Sequence, residues 1–392
     1  MAFEIFWRFL ALGCTSFGGP AAHIGYFRAT FVDRLAWLDS SHYGRLIAAS
    51  QLLPGPGSSQ VCFAIGLERG GFMGGVAAIL GFTLPSFVLL SGLGVFGAVL
   101  APGAFGMAIV TATVSGLKLL AVVVVADAVR GMYADFCATI GAAAMAIGTA
   151  CVLLAFDAPG LQLVALVLAA VVGAALPRQI MGDAERVPPG GDDARRPAWL
   201  PLALVTGLAL ILLLPGVGAD LPGAADDFFL AGLMVFGGGH VVLPLLQQSV
   251  GAVLGDEVFL TGYAAAQAVP GPMFTLASYL GAVLEPSRPW LGALAATLAV
   301  FAPGLLLMAA FRGSLARFAA WPRAAAAAAG VNAAVVGLLL AVLYSPVFTA
   351  AVHSSIDAAF VITGLWVLTA LRPPILVLVV GFAVTGALRA VL

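Results

Sequence analysis

Two interrupted strings carry the groups best suited to holding a ligand: Leu53-Pro54-Gly55-Pro56-Gly57-Ser58-Ser59-Gln60 and Val269-Pro270-Gly271-Pro272. Proline has no amide donor and clashes with the preceding turn, so each string stops one helix and lets another begin. A helix start presents unpaired N–H groups and the positive end of the helix dipole, and together these attract an anion. Gly18, Gly19, Gly237, Gly238 and Gly239, like Gly55, Gly57 and Gly271, allow backbone to approach a ligand closely. Ser58, Ser59 and Gln60 follow the first break, and Thr275 and Ser278 follow the second. Their side chains suit donation to oxyanion oxygens, or simple capping of the helix. Gln51 and Gln267 stand just ahead of the two breaks, placed for ligand contact or for a hydrogen bond between helices.

Three further residues carry charge or titrate. Lys118 is the one lysine of the chain and lies within an apolar stretch, where a charge is by default functional. It would balance a bound dianion or move with a transport cycle; snorkelling to the interface is the alternative, across ~12 Å of helix. His23 and His240 follow the Phe17-Gly18-Gly19 and Phe236-Gly237-Gly238 turns, where a proton-coupled carrier would want a titratable group. A structural hydrogen bond to a neighbouring helix is the alternative, and the commoner use of a buried histidine. The remaining histidines are scattered and the four cysteines, all in apolar runs, have no metal-ligand spacing. We expect no metal or cofactor, and we expect the cysteines to be small buried hydrophobes.

The elements that must position these groups are membrane helices. Hydrophobic residues make up 62% of the 392-residue chain and charged ones only 9%, against ~25% in soluble proteins. Apolar stretches run over residues 3–27, 44–66, 72–100, 103–127, 136–156 and 158–176, then 198–215, then 227–247, 258–284, 289–311, 324–346, 354–371 and 373–391. Residues 177–197 are polar and hold Arg178, Asp183, Glu185, Arg186, Asp192, Asp193, Arg195 and Arg196, a solvated linker. The first stretch lacks a basic leader and a cleavage site, so it is expected to be retained. The expected partners are the lipid bilayer and a small anion, with no nucleic acid. Gly70-Gly71 and Gly74-Gly75 offer either a dimer face or close packing within one subunit.

The second six stretches repeat the first. Phe17-Gly18-Gly19 answers to Phe236-Gly237-Gly238, Ala49-Ser50-Gln51 to Ala265-Ala266-Gln267, Pro85 to Pro303, and Gly116-Leu117-Lys118 to Gly330-Val331-Asn332. The domain division that follows is 1–176, then 177–226 as linker plus an extra helix, then 227–392. An odd number of crossings separates equivalent points, so the second unit is expected upside down. The expected fold is therefore an all-α polytopic membrane protein of two inverted repeats, with broken or re-entrant helices at the Phe-Gly-Gly and Pro-Gly-Pro turns. If every stretch crosses, arginines divide 11 to 5 between the two sides; if the first two stretches of each repeat are re-entrant hairpins, they divide 14 to 2. The positive-inside bias favours nine crossings and four hairpins.

The strings FGGPAAHIGYFR (Phe17 to Arg28), QLLPGPGSSQV (Gln51 to Val61), GFTLPS (Gly81 to Ser86), VFGGGHVVLPLL (Val235 to Leu246) and AAQAVPGP (Ala265 to Pro272) resemble the chromate ion transporter family in its long, two-domain form. That resemblance implies a secondary transporter exporting chromate, with sulfate as a similar anion, through the bacterial inner membrane, driven by the proton gradient or membrane potential. Some members carry a carboxylate after the Pro-Gly-Pro where Gln60 stands. The residues themselves point only to an anion carrier, with an anion channel or a sulfate or other oxyanion carrier as alternatives. An enzyme is disfavoured, because no HExxH and no paired intramembrane aspartates occur.

Overall fold

Three of the longest apolar stretches do not make single helices. The computed structural model describes residues 1–17, 19–97, 103–156, 158, 160–181, 198–212, 221–235, 242–311 and 322–389, and every regular element among them is helical. Stretch 3–27 divides into α1 (Ala2–Thr15) and α2 (Gly19–Phe27), with Gly19 at φ +76° starting the second. Stretch 44–66 divides into α3 (Ser40–Leu52) and α4 (Gly57–Phe96) around Pro54, where Gly55 takes φ +125°. Asp39 caps α3, accepting the His42 amide at 2.8 Å, and the Tyr43 hydroxyl donates to the Ile24 carbonyl at 2.6 Å, tying α3 to α2.

Helix α4 reverses within its span. Gly70 (φ −139°, ψ 23°) and Gly71 (φ 62°, ψ −159°) leave the helical region, the second in a conformation essentially restricted to glycine. Gly66 and Gly74 would be ~12 Å apart along a straight helix. Instead a Cβ on Gly66 would lie 2.4 Å from the Gly74 carbonyl oxygen, so the two limbs lie side by side. Gly70, Gly74 and Gly75 therefore pack against Ile5, Gly66 and Phe63 of the same chain, while Gly71 forms the open turn. The first limb, residues 57–69, reaches ~20 Å, less than the ~30 Å hydrocarbon core.

The chain continues through α5 (Gly103–Phe136), α6 (Ile140–Ala155), α7 (Leu161–Ala175), α8 (Trp199–Leu212), α9 (Ala225–Met234) and α10 (Val242–Leu246). Stretch 258–284 divides at Pro270-Gly271 into α11 (Asp256–Ala268) and, after a 3-10 turn, α12 (Leu276–Leu284). Then follow α13 (Pro289–Phe311), α14 (Pro322–Val342), α15 (Ser355–Trp366) and α16 (Ile375–Arg389). Among the described residues four helical stretches, Gly57–Phe96, Ala112–Phe136, Pro289–Phe311 and Ala325–Phe348, are long and apolar enough to cross a membrane, the first of them folded back as described above. The chain is a membrane protein with several spans.

Packing contacts recur in matched pairs. Gly13 of α1 meets the Phe82 carbonyl and Gly232 of α9 meets the Val300 carbonyl; Gly66 faces Gly74 as Gly281 faces Gly292. The long helices are exchanged. Gly116 of α5 sits on the Phe382 carbonyl of α16, while Gly330 of α14 sits on the Ala169 carbonyl of α7. Thus α5 packs against α15 and α16, and α14 against α6 and α7. The small residues at these contacts allow the close backbone approach that drives helix association in lipid.

The cysteines correct one expectation. Cys62 and Cys137 are buried, but Cys14 and Cys151 are exposed. Lipid is as apolar as a protein core, so an apolar run does not say which side of a helix faces inward.

Candidate functional site

Two backbone hydrogen bonds cross between the halves of the chain. The Gly55 amide donates to the Val235 carbonyl at 2.7 Å, and the Gly271 amide donates to the Ser16 carbonyl at 2.9 Å. Each Pro-Gly-Pro glycine is thereby fastened to the residue just ahead of the other half's Phe-Gly-Gly. Both positions demand glycine: φ is +125° and +103°, and a Cβ on Gly55 would lie 2.5 Å from Gly304 Cα, one on Gly271 2.8 Å from Ser86 Oγ. Gln60 adds a third tie, its Nε2 donating to the Pro54 carbonyl at 2.8 Å and to the Gly304 carbonyl of α13 at 3.0 Å.

An open cleft of about 880 Å³ leads to this junction. Gly19, Ser50, Gly55, Gly57, Ser58 and Gln267 lie on its wall, and toward its mouth stand Asp127, Arg130, Asp135 and Arg372. Arg130 pairs with Asp127 at 2.8 Å, so the arginines meet carboxylates as well as open space. At the start of α4 the first intrahelical bond runs from the Gln60 amide to the Pro56 carbonyl, leaving the Gly57, Ser58 and Ser59 amides ahead of it without helical acceptors. Two of these residues, Gly57 and Ser58, line the cleft.

The side chains named from sequence have different surroundings. Ser58 and His23 meet: the hydroxyl lies 3.3 Å from His23 Nδ1, with both residues buried and the His23 ring edge-on to Phe82 at 5.1 Å. Ser59 is buried with its hydroxyl lacking a hydrogen-bond partner, as is the Gln60 Oε1. Thr275 donates to the Pro272 carbonyl at 2.5 Å and Ser278 to the Thr275 carbonyl at 2.8 Å, so both hydroxyl protons are engaged by backbone. Gln267 Nε2 lies 3.0 Å from Met273 Sδ, a weak acceptor. Gln51 ends α3 one residue before its last, at the approach to the break. Lys118 is not brought to the turns; it lines a second cleft, its Nζ 3.3 Å from Glu257 Oε1. Gly18, Gly237, Gly238, Gly239 and His240 lie outside the described residues.

The sequence reading missed Ser16, Val235, Ser50, Asp127, Asp135 and the role of Gly304. Ser16 and Val235 act through their carbonyls, which leave no mark on residue type. Asp127 and Arg130, three apart at the end of an apolar run, were the legible signal.

This arrangement of glycine turns and amide-rich helix ends has counterparts in known sequences. The chromate transporter family model matches residues 3–174 and 224–387. The chain belongs to the chromate transporter family. This transporter is 31% identical to the chromate transport protein of Pseudomonas aeruginosa over 350 residues, covering 86% of this chain and 79% of that protein. It is 24% identical to an uncharacterized transporter of Methanocaldococcus jannaschii over 315 residues, 78% of this chain and 75% of the other. A shorter match, 37% over 86 residues and 22% of each chain, joins it to the probable chromate transport protein of Synechococcus elongatus. No solved structure matches it.

Proposed function

We propose that this transporter is a carrier exporting chromate, a tetrahedral dianion, through the bacterial cytoplasmic membrane, driven by the membrane potential or the proton gradient. The observation that carries the reading is the crosswise pair of bonds, Gly55 to Val235 and Gly271 to Ser16, at the head of the cleft. It holds glycine-rich backbone and the free amides of α4 in one place before any ligand arrives. A bare anion in apolar surroundings is disfavoured by on the order of tens of kcal/mol. Charge-assisted hydrogen bonds of ~1.5–3 kcal/mol each, from preformed donors, are the means of offsetting that. The substrate itself is carried over from the names of the relatives.

We read the chain as two inverted repeats, 1–176 and 227–392, joined by a linker and extra helix at 177–226, with re-entrant limbs at the four turns. Two contacts support the limbs. The Arg69 guanidinium lies 5.0 Å from the centre of the Trp37 ring, so the residues before α3 and those ending the first limb of α4 share one side of the membrane. Glu257 pairs with Lys118, ~18 Å along α5 from Arg130, so the acidic start of α11 lies away from the arginine-bearing cleft mouth. Both placements agree with the 14 to 2 division of arginines, and on that reading the mouth with Arg130 and Arg372 faces the cytoplasm.

The test is radiolabelled chromate flux in inside-out vesicles, competed with sulfate and molybdate at varied pH. Saturable, exchange-stimulated uptake supports the carrier. Uninterrupted single-channel current would make it a channel, and stronger competition by sulfate than by chromate would change the substrate.

A further inference from the structure

A second cleft, about 640 Å³, opens beside the middle of α5, lined there by residues between Ala112 and Leu119, and does not include the turns. Lys118, Asp256, Glu257, His353, Ser354 and Asp357 are among its lining residues. The same helices pass from one cleft to the other. Helix α5 contributes Lys118 and Leu119 to the second and Val124 and Asp127 to the first, ~7.5 Å apart along the helix at their nearest. Helix α11 contributes Glu257 to the second and Gln267 to the first, then runs directly into the Pro270-Gly271 turn.

Between the clefts stands a wall. Leu120, Ala121 and Val123 of α5 and Phe259, Leu260 and Tyr263 of α11 belong to one apolar cluster and are each at most 1% exposed. At its outer edge the Lys118–Glu257 pair joins α5 to α11, hence the first half of the chain to the second. The pair is asymmetric: the Lys118 side chain is 11% exposed and that of Glu257 is 77% exposed. The lysine is fixed in the protein and the carboxylate is the partner able to leave.

We propose that the second cleft is the far half of the anion's path, closed in this structure, and that the Lys118–Glu257 ion pair is the latch holding α11 against α5 across it. This rests on the carrier reading above. When Glu257 swings out, α11 is free to shift at the end remote from its turn, the wall parts, and Lys118 is left as a fixed cation facing the departing oxyanion. Asp256, Glu257 and Asp357 then oppose its return from outside.

The test is site-directed labelling, which needs no substrate and so separates this idea from the identity of the cargo. Ala121→Cys, with Ala264→Cys as a second reporter, is placed in a chain whose Cys14, Cys62, Cys137 and Cys151 are replaced by alanine. The full-length protein is treated with a membrane-impermeant methanethiosulfonate from each side of sealed vesicles. Glu257→Gln is expected to raise the labelling rate from the second cleft's side about fivefold, the scale of a partly exposed ion pair of ~1 kcal/mol. Lys118→Glu with Glu257→Lys should return it to the parent value. Unchanged labelling of both reporters in Glu257→Gln overturns the latch, even if chromate flux is intact; raised labelling with no chromate flux upholds the latch and sinks the proposed cargo.

Discussion

Gly271 donates its amide to the carbonyl of Ser16 at 2.9 Å, fastening the break in the second half of the chain to the end of the first helix in the first half. Its counterpart, Gly55 to Val235, does the same in reverse. The junction is therefore built from both halves at once, and neither half holds a complete one.

Substitution of these glycines should separate in severity. Gly55→Ala places a methyl 2.5 Å from the Gly304 Cα, a backbone atom, at φ +125°. Strain of ~1–3 kcal/mol and overpacking of similar size are expected. Gly271→Ala is strained alike at φ +103°, but the group it meets at 2.8 Å is the Ser86 hydroxyl, a side chain that could yield by giving up its bond to the Thr83 carbonyl, so it should be milder. Gly25→Ala, with no atom within 4 Å, should be neutral. Thermal unfolding of the detergent-solubilised variants gives the order; equal melting temperatures for all three would contradict it.

Loss of the Ser58 and Ser59 hydroxyls should weaken binding without unfolding the protein. Both residues are buried, and the Ser59 hydroxyl is without a partner. Ser58→Ala with Ser59→Ala is expected to raise KM for chromate about tenfold, corresponding to ~1.4 kcal/mol for two hydrogen bonds. An unchanged KM would take both hydroxyls out of the site and leave the backbone amides as the site.

Gln60→Leu should act on stability as well as flux. It removes the donor to the Pro54 carbonyl and to the Gly304 carbonyl of α13, and with it a tie between α4 and α13. A loss of ~1–3 kcal/mol is expected. Denaturant unfolding reads it directly, and a variant as stable as the parent would show that Gln60 is no brace.

Asp39 provides a pH-dependent measurement away from the membrane helices. The His42 amide donates to its carboxylate, which holds its pKa below the ordinary aspartate value. The folded value lies below the unfolded one, so the cap's contribution is present at neutral pH and is lost as pH falls through the folded value. Hydrogen exchange of residues 40–43 should therefore quicken on acidification in the parent. In Asp39→Ala it should be fast at neutral pH already; identical protection there would remove the capping role.

Where the helices break was readable in the sequence, because a proline denies its own turn a donor whatever surrounds it. The doubled motifs, the membrane composition and the family were readable for the same reason: each is a property of neighbouring residues or of direct sequence comparison. Tertiary structure alone decided that Gly55 binds Val235 and Gly271 binds Ser16, that α5 and α14 are exchanged between the halves, and that Lys118 faces Glu257 in a different cleft from the turns. The two glycine pairings join residues far apart in the chain through backbone atoms common to every residue type, and the Lys118–Glu257 pair joins side chains from opposite halves of the chain. In lipid, moreover, the outward face of a helix is as apolar as its inward face, so hydrophobic pattern could not say which side met protein.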